Sequence, residues 1–563
     1  MIQTPRPVAA GRMFARPALV AMLCACWPPA VRAAATLPAL PRQWVDTSEI
    51  ATGRTISVAA GGSLQSALAS AQPGDVILLQ AGAVFTGPFI LPVKQGEGWV
   101  TVRSSAPDEV LPPAGARMTP AFAAQLPKIV SRGPGPALRT APGAHHYRFV
   151  AVEFALAAGT TSMNSLIELG DGGRDQASLA RVPHHLIFDR VYAHGTPTGH
   201  LRRAFALNSA NTAIVNSYVS DCHQEMYDAQ AIGGWNGPGP FKIVNNYLEA
   251  SGENLMFGGG DPSVPALVPS DIEIRGNHFS KPLSWKIGHP TYAGRPWSVK
   301  NLFELKNAQR VLIDGNVFEH NWPHAQNGFA ILFTVRNQDG TAPWSTVNDV
   351  TFTHNIVRHV AAGINVHNVD DHHPSQPTAR ILIQHNLFHD IGTTTWGGSG
   401  IFFQVNGGPA DVTIDHNTLM QSGHIIAAGE TRPAPRFVFT SNLALHNEYG
   451  VGGDNTYGNP ILTIRTYFPG ARFAGNVLVG ARGDAYPSGN QFPSSIAAVG
   501  FMSVETGDYR LRPTSRYRTA GADGKAAGAD IDALNVATAG VLSGTPVHAA
   551  PAVDRPAASR ERR

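Results

Sequence analysis

Short blocks of alternating apolar and polar residues recur along most of the chain. "IEIRGNHF" (272–279) returns as "VLIDGNVF" (311–318), "VTFTHNIV" (350–357), "ILIQHNLF" (381–388) and "VTIDHNTL" (412–419), with fainter copies at 241–248, 437–444 and 471–478. A period of two is the signature of a strand with one buried face. Each block breaks at an Asn, at positions 216, 246, 277, 316, 355, 386, 417, 442 and 476. The spacings run from 25 to 39 residues, most often 30 or 31. That is one coil of a parallel β-helix, with loops absorbing the extra residues. Coils about 4.8 Å apart would let identical amides hydrogen-bond up the stack, so the asparagines are expected to form a structural ladder within the bends.

A solenoid needs its ends covered. In "GGSLQSALASAQPGD" (61–75), Ser63 offers an N-cap and Leu64, Ala67, Leu68 and Ala71 form one apolar helical face. With the strand "VILLQAG" that follows, this segment resembles the opening of secreted right-handed β-helix proteins of the pectate-lyase-like superfamily, and "GDYRLRPTSRYRTAGADG" (507–524) resembles their closing coil. The expected fold is therefore all-β: a single-domain right-handed parallel β-helix over 76–535, preceded by an opening segment with a capping helix (36–75). Residues 536–563, rich in Ala, Pro and Arg, are expected to be a disordered tail.

Composition agrees with a turn-rich β protein: 58 Gly, 43 Pro and only 15% charged residues in 563. At the N-terminus, Arg6, Arg12 and Arg16 precede the apolar run "ALVAMLCACW" and a small-residue cleavage site at Val31-Arg32-Ala33. This reads as a signal peptide over 1–35 and a secreted or periplasmic protein without stable membrane insertion. Cys26 is a poor lipidation candidate. Removing that segment takes away four arginines and no acids, so the net charge moves from +3 to about −1. No basic field remains to attract nucleic acid. Cys222 is left as the sole cysteine, so no internal disulfide is expected and a monomer held by packing is.

After each Asn turn a coil needs further strands. Aligning "FELKN" (303–307), "FTVRN" (333–337), "INVHN" (364–368) and "FQVNG" (403–407) turns Glu304/Lys306, Thr334/Arg336, Asn365/His367 and Gln404/Asn406 outward. Lys306, Arg336, His367 and Asn406 then form one column, with Asp228, Gln230 and Asp261 contributed by earlier coils. Like charges one rung apart repel by about 3 kcal/mol at an effective dielectric near 20, and an anionic ligand would relieve this. An acidic polysaccharide is the expected partner. Cleaving a uronide by β-elimination requires neutralising its carboxylate, abstracting the C5 proton and protonating the departing oxygen; Arg, Asn or Ca²⁺ serve the first task, Lys or His the second. Arg336 one rung away is expected to depress the Lys306 pKa, while Glu304 pulls the other way.

"LKNAQRVLIDGNVF" followed by "FTVRN" is similar to the Lys-then-Arg arrangement of β-helix lyases that cleave alginate and dermatan or chondroitin. That resemblance implies Lys306 as base and Arg336 as acid or charge stabiliser. It departs from the pattern in Asn307, where the family has Ser, in the position of the calcium-binding acids, and in the longer Lys-to-Arg interval. The candidate catalytic set is Lys306, Arg336 and His367; Gln230, Asp261, Glu304, Asn365, Gln404 and Asn406 are candidate substrate contacts, with Ca²⁺ as the candidate cofactor. Three alternatives stay open. A glycoside hydrolase would draw on Glu304, Asp339, Asp370, Asp371 and Asp261. A uronan C5-epimerase is suggested by a loose likeness of "VHNVDDHHP" (366–374), and the third is a non-catalytic glycan-binding solenoid. The His pairs 145–146 and 184–185 are not at a zinc-motif spacing and read as residues at the start of strands, and the loop tryptophans as packing.

Overall fold

The computed structural model describes residues 34–48, 52–133, 135–430 and 432–545. The expected signal segment lies almost wholly outside them. Between Thr55 and Val479 the described residues form a right-handed parallel β-helix with three long parallel sheets of 14, 13 and 12 strands. One coil shows the scheme. Ala308–Asp314 lies in the first sheet, Val317–Asn321 in the second and Phe329–Thr334 in the third, and Val347–Thr353 starts the next coil beside Ala308–Asp314. Inward residues stack in register, as in Ile313↔Phe352↔Ile383↔Ile414, and phenylalanines such as Phe279 and Phe318 stack at 4.4 Å. The buried apolar column inside the coils is the core.

The Asn ladder forms. The backbone N–H and Nδ2 of Asn277 donate to Asn316 Oδ1 (2.9 and 3.0 Å), and those of Asn316 to Asn355 Oδ1 (2.9 and 3.0 Å). The chain of amides runs from Asn246 to Asn476 and gains Asn490 at its end. Two details differ from the sequence reading. Ser217 takes the rung assigned to Asn216, its backbone N–H donating to Asn246 Oδ1. The left-handed residue is the one before each Asn: Gly276, Gly315, His354, His385 and His416 have φ between 50° and 67°. That is why the motif reads Gly-Asn or His-Asn: glycine enters this region freely and histidine tolerates it.

The N-terminal helix Leu64–Ser70 caps the solenoid as expected, with Ser63 Oγ accepting from the Ser66 N–H and Leu64, Ala67 and Leu68 buried. At the other end the helix Pro460–Tyr467 buries Ile464 and Tyr467. Residues 507–524 are not a closing coil. Phe501–Ser503 and Asp508–Leu511 form an antiparallel hairpin, and this segment packs Val499, Phe501, Tyr509, Tyr517, Ile531 and Leu534 against Leu387, Met420, Leu443 and Val477 of the second sheet. Where a tail was expected from residue 536, the helix Ile531–Ala537 continues into residues that meet buried Arg117, which donates from Nη1 to the Val541 carbonyl (2.8 Å). The remainder, 546–563, lies outside the described residues.

The first sheet is dressed differently. In six successive coils one position at the start of the strand is left-handed, and it holds Asp271, Arg310, Asp349, Arg380, Asp411 and Arg436. They pair as bidentate ions, Arg310 with Asp271, Arg380 with Asp349 and Arg436 with Asp411. The segment 36–47 runs along this ladder, the N–H groups of Thr36, Ala39 and Arg42 donating to Asp411, Asp349 and Asp271 (2.9, 3.0 and 2.8 Å).

Candidate functional site

The outward face of the third sheet carries the predicted column, with one change of register. Leu305 pairs with Phe333 and Thr334 with His367, which pairs with Asn406. The alignment of "FELKN" with "FTVRN" is thus two residues out, and the column reads Lys306, Thr334, His367, Asn406. Arg336 lies beyond the strand end. Its N–H donates to the Lys306 carbonyl (2.8 Å), but its guanidinium Nη1 donates to Asp370 Oδ1 (2.6 Å). Asp370 is buried and also accepts from the N–H groups of Asn337 and His372. These bonds, with the Arg336 charge, outweigh burial and hold its carboxyl below the usual range.

Lys306 is likewise occupied. Its Nζ stands 3.6 Å from Glu304 Oε1, and Glu304, buried on the same strand, also accepts from Asn301 Nδ2 and Thr334 Oγ1. Glu304 raises the Lys306 pKa against the effect of burial, with Glu253 adding to it. The expected depression by Arg336 is therefore reversed, and the repulsion between the two cations is absent because each faces its own carboxylate.

Around Lys306 the fold assembles groups that no repeat signalled. Glu253, fully buried one coil earlier, accepts from Gln230 Nε2 (2.7 Å) and lies 3.5 Å from Lys300 Nζ, which donates to Asp228 Oδ2 (2.7 Å). Burial raises the Glu253 pKa, reinforced by Asp228 and Glu304. Burial disfavours the Lys300 ammonium, yet Glu253 and Asp228 more than offset it and its pKa is raised. Beside this cluster Tyr227, 66% exposed, lies under Arg202 at 6.0 Å. Gln230 Oε1, Glu253 Oε1, Asn365 Oδ1 and the Nε atoms of Arg202 and Arg203 are buried without a hydrogen-bond partner. Such atoms also occur elsewhere in the chain, at Arg275 Nε and His424 Nδ1 among others, and here they are free to meet a ligand or ordered water.

The other candidates divide. Asn365 and Gln404 share a rung beside the column. Gln230 is engaged with Glu253. Asp261 ties a loop, its Oδ2 accepting from the N–H groups of Asp339 and Thr341 and from Thr341 Oγ1. Trp285, Trp297, Trp322 and Trp396 pack together away from solvent.

His367 sits between two acids, its Nδ1 3.2 Å from Asp371 and its Nε2 3.1 Å from Glu430. These three side chains could hold a cation. One imidazole and two carboxylates suit a transition metal, whereas calcium takes six to eight oxygens. The donor set does not fit calcium, and no step is derived through it.

Fold and site together define a right-handed parallel β-helix with an ionisable cluster on one outer face. No protein-family model matches the chain, and no curated sequence is significantly similar to it. Among solved structures it is similar to a mannuronic acid-specific polysaccharide family 6 lyase from human gut microbiota (12% identity, TM-score 0.49, covering 78% of this chain and 91% of that one). It is also similar to the PL6 family alginate lyase AlyGC (13%, 0.47, 84% and 57%) and to pectate lyase Pel9A (13%, 0.30, 85% and 94%). The chain thus spans little more than half of AlyGC. Superpositions this loose leave the chemistry to the residues.

Proposed function

We propose that the outer face of the third sheet binds an acidic, uronate-containing polysaccharide outside the cytoplasm and cleaves it by β-elimination. The observation that carries this reading is the pair of ammonium groups, Lys300 and Lys306, held charged over the buried acids Glu253 and Glu304. Lys300, Lys306, Arg202 and Arg203 outnumber Asp228, Glu253 and Glu304, and the face favours an anion. In this scheme Lys300 and Lys306 neutralise the uronate carboxylate, and Tyr227 offers a wall for a sugar ring. His367, farther along the same column, takes the C5 proton in this scheme and returns it to the departing O4 as the C4–O bond breaks. Arg336 is a structural partner of Asp370. Held protonated by Glu304, Lys306 suits charge neutralisation better than proton abstraction.

A hydrolase has one observation in its favour: Asp371 and Glu430 are exposed carboxylates that flank His367. Incubating the protein with alginate, pectate, chondroitin and heparin, and following the ultraviolet absorbance of unsaturated uronate, tests the lyase. New reducing ends without that absorbance would replace elimination by hydrolysis, and no product from any of them would leave a binding solenoid.

A further inference from the structure

On the first sheet, a different face from the candidate site, two consecutive coils each present a His-His pair: His145–His146 and His184–His185. The strands are in register, His145 beside His184. In an ordinary strand adjacent side chains point to opposite faces. Here the second residue of each pair is left-handed, with φ of 58° at His146 and 56° at His185, and both rings of each pair come together. Within each pair the two Nδ1 atoms are 2.7 Å apart. Between coils the rings stack, His145 on His184 at 4.9 Å and His146 on His185 at 4.5 Å. His146, His184 and His185 offer ring nitrogens that all lie within 4.8 Å of one another.

We propose that His145, His146, His184 and His185 form a binding site for one divalent transition-metal ion of the imidazole-preferring kind, such as Cu²⁺, Ni²⁺ or Zn²⁺. Two nitrogens bound to one metal at about 2.0 Å stand roughly 2.9 Å apart in a square plane and 3.3 Å apart in a tetrahedron. The 2.7 Å pairs, whose rings stand at 87° and 80° to each other, therefore need to open by only tenths of an ångström, while the parallel rings stacked between coils must turn so that one ion lies in the plane of each. A neutral imidazole ligating through Nδ1 carries its proton on Nε2 and wants an acceptor there. His185 Nε2 already meets the Asn211 side-chain amide at 2.8 Å, and turning that amide over presents its oxygen. Asn211 occupies the equivalent left-handed position of the next coil, with φ of 45°. Trp99 closes one side, its ring edge-on to His146 and His185 at 5.2 and 6.4 Å. The same column carries paired Asp and Arg in coils nearer the C-terminus, so a cluster of imidazoles here is a local departure from the ladder.

The test uses the full chain, stripped with chelator and titrated with Cu²⁺ under dialysis. We expect a retained equivalent per chain whose electron paramagnetic resonance shows three or four coordinating imidazole nitrogens. It should be lost in His146→Ala/His184→Ala, kept in His367→Ala, and weakened about tenfold or more in Asn211→Ala. Failure to retain copper, a spectrum dominated by oxygen ligands, or equal retention by the double variant would overturn the assignment. Because the wild-type spectrum counts nitrogens directly, the result stands even if the double variant folds poorly.

Discussion

Replacing Asn316 by Ala should be among the most damaging single changes outside the groove. The residue is fully buried. Its Oδ1 is the partner recorded for the Asn277 backbone N–H and one of two for Asn277 Nδ2, while its own Nδ2 donates to Ile274 O and Asn355 Oδ1. Alanine would orphan one buried N–H, at about 1–3 kcal/mol, and remove further bonds worth about 1 kcal/mol each. With the space left by the amide, a loss of about 3–5 kcal/mol follows. Asn490 provides the control. It ends the ladder and is slightly exposed, so water can replace part of what Ala removes, and a loss of about 1–2 kcal/mol is expected. Asn316→Asp keeps the shape and the acceptor but buries a charge facing Asn355 Oδ1, and should be no better than Ala.

Urea unfolding followed by far-ultraviolet circular dichroism measures all three, with unfolding rates as the readout if refolding is incomplete. A loss below about 1 kcal/mol for Asn316→Ala, or equal losses at Asn316 and Asn490, would refute the ladder as a cooperative element.

Further expectations concern the groove, pH and the N-terminal segment. Lys306→Ala should reduce uronide cleavage by about 100-fold or more, whereas Arg336→Ala should stay within about tenfold of wild type; the reverse order in initial rates would reinstate Arg336 as a catalytic group. Glu249 is fully buried, and burial with Asp221 nearby pushes its carboxyl up from 4.5 to about 7. Because the folded pKa is the higher one, its stabilising contribution is fully present below about pH 4.5 and is lost as pH rises through 7, roughly 3 kcal/mol at most. Glu249→Gln should flatten the stability profile in that window, and an unchanged slope from pH 4.5 to 7 would count against it. Deleting residues 36–47 removes three charge-assisted bonds to Asp271, Asp349 and Asp411 and uncovers the contact of Val45 with Ile187, Ala213 and Val215. A melting point lowered by several degrees and faster proteolysis should follow; an identical melting curve would show that the segment only rests there.

The coil was legible because its cause is local and repeated. Alternation places Ile313 and Phe352 inward, and the buried Asn cannot be exchanged without orphaning a neighbour, so both signals recur in the sequence. Register between coils was less legible. "FELKN" and "FTVRN" share an apolar-polar frame that fits equally well after a two-residue slip. Leu305 pairs with Phe333 in the fold, and nothing in either motif distinguishes that from Phe303 with Phe333. Asp228 and Gln230 could be read from "YDAQAI", but Lys300 and Glu253 were invisible for another reason: each comes from a different coil and belongs to no repeat. Their one advance signal is that "ASGEN" and "SVKNLFELKN" place charges at strand starts. The C-terminal segment was misread because its apolar residues, Tyr509 and Tyr517 among them, serve the outside of a sheet, a use with no period of its own.

The same comparison separates charge that stabilises from charge that binds. On the first sheet every Asp of the ladder meets an Arg in bidentate geometry and a backbone N–H of the N-terminal segment, so its hydrogen-bonding capacity is taken up within the chain. The C-terminal segment covers much of the second sheet with apolar contacts. On the third sheet the ions are matched only in part: Lys306 meets Glu304 at 3.6 Å, and Lys300, bound to Asp228 at 2.7 Å, meets Glu253 only at 3.5 Å, beyond good hydrogen-bond length. Buried oxygens of Gln230, Glu253 and Asn365 there have no donor. Burying ions in loose pairs is costly when tight pairing is available, as the ladder shows within the same molecule. A face that keeps loose pairs and unmatched acceptors has its geometry set by something other than the free chain's own stability. An acidic glycan could supply the missing partners, its carboxylate meeting the two lysines and its hydroxyls donating to the orphaned oxygens.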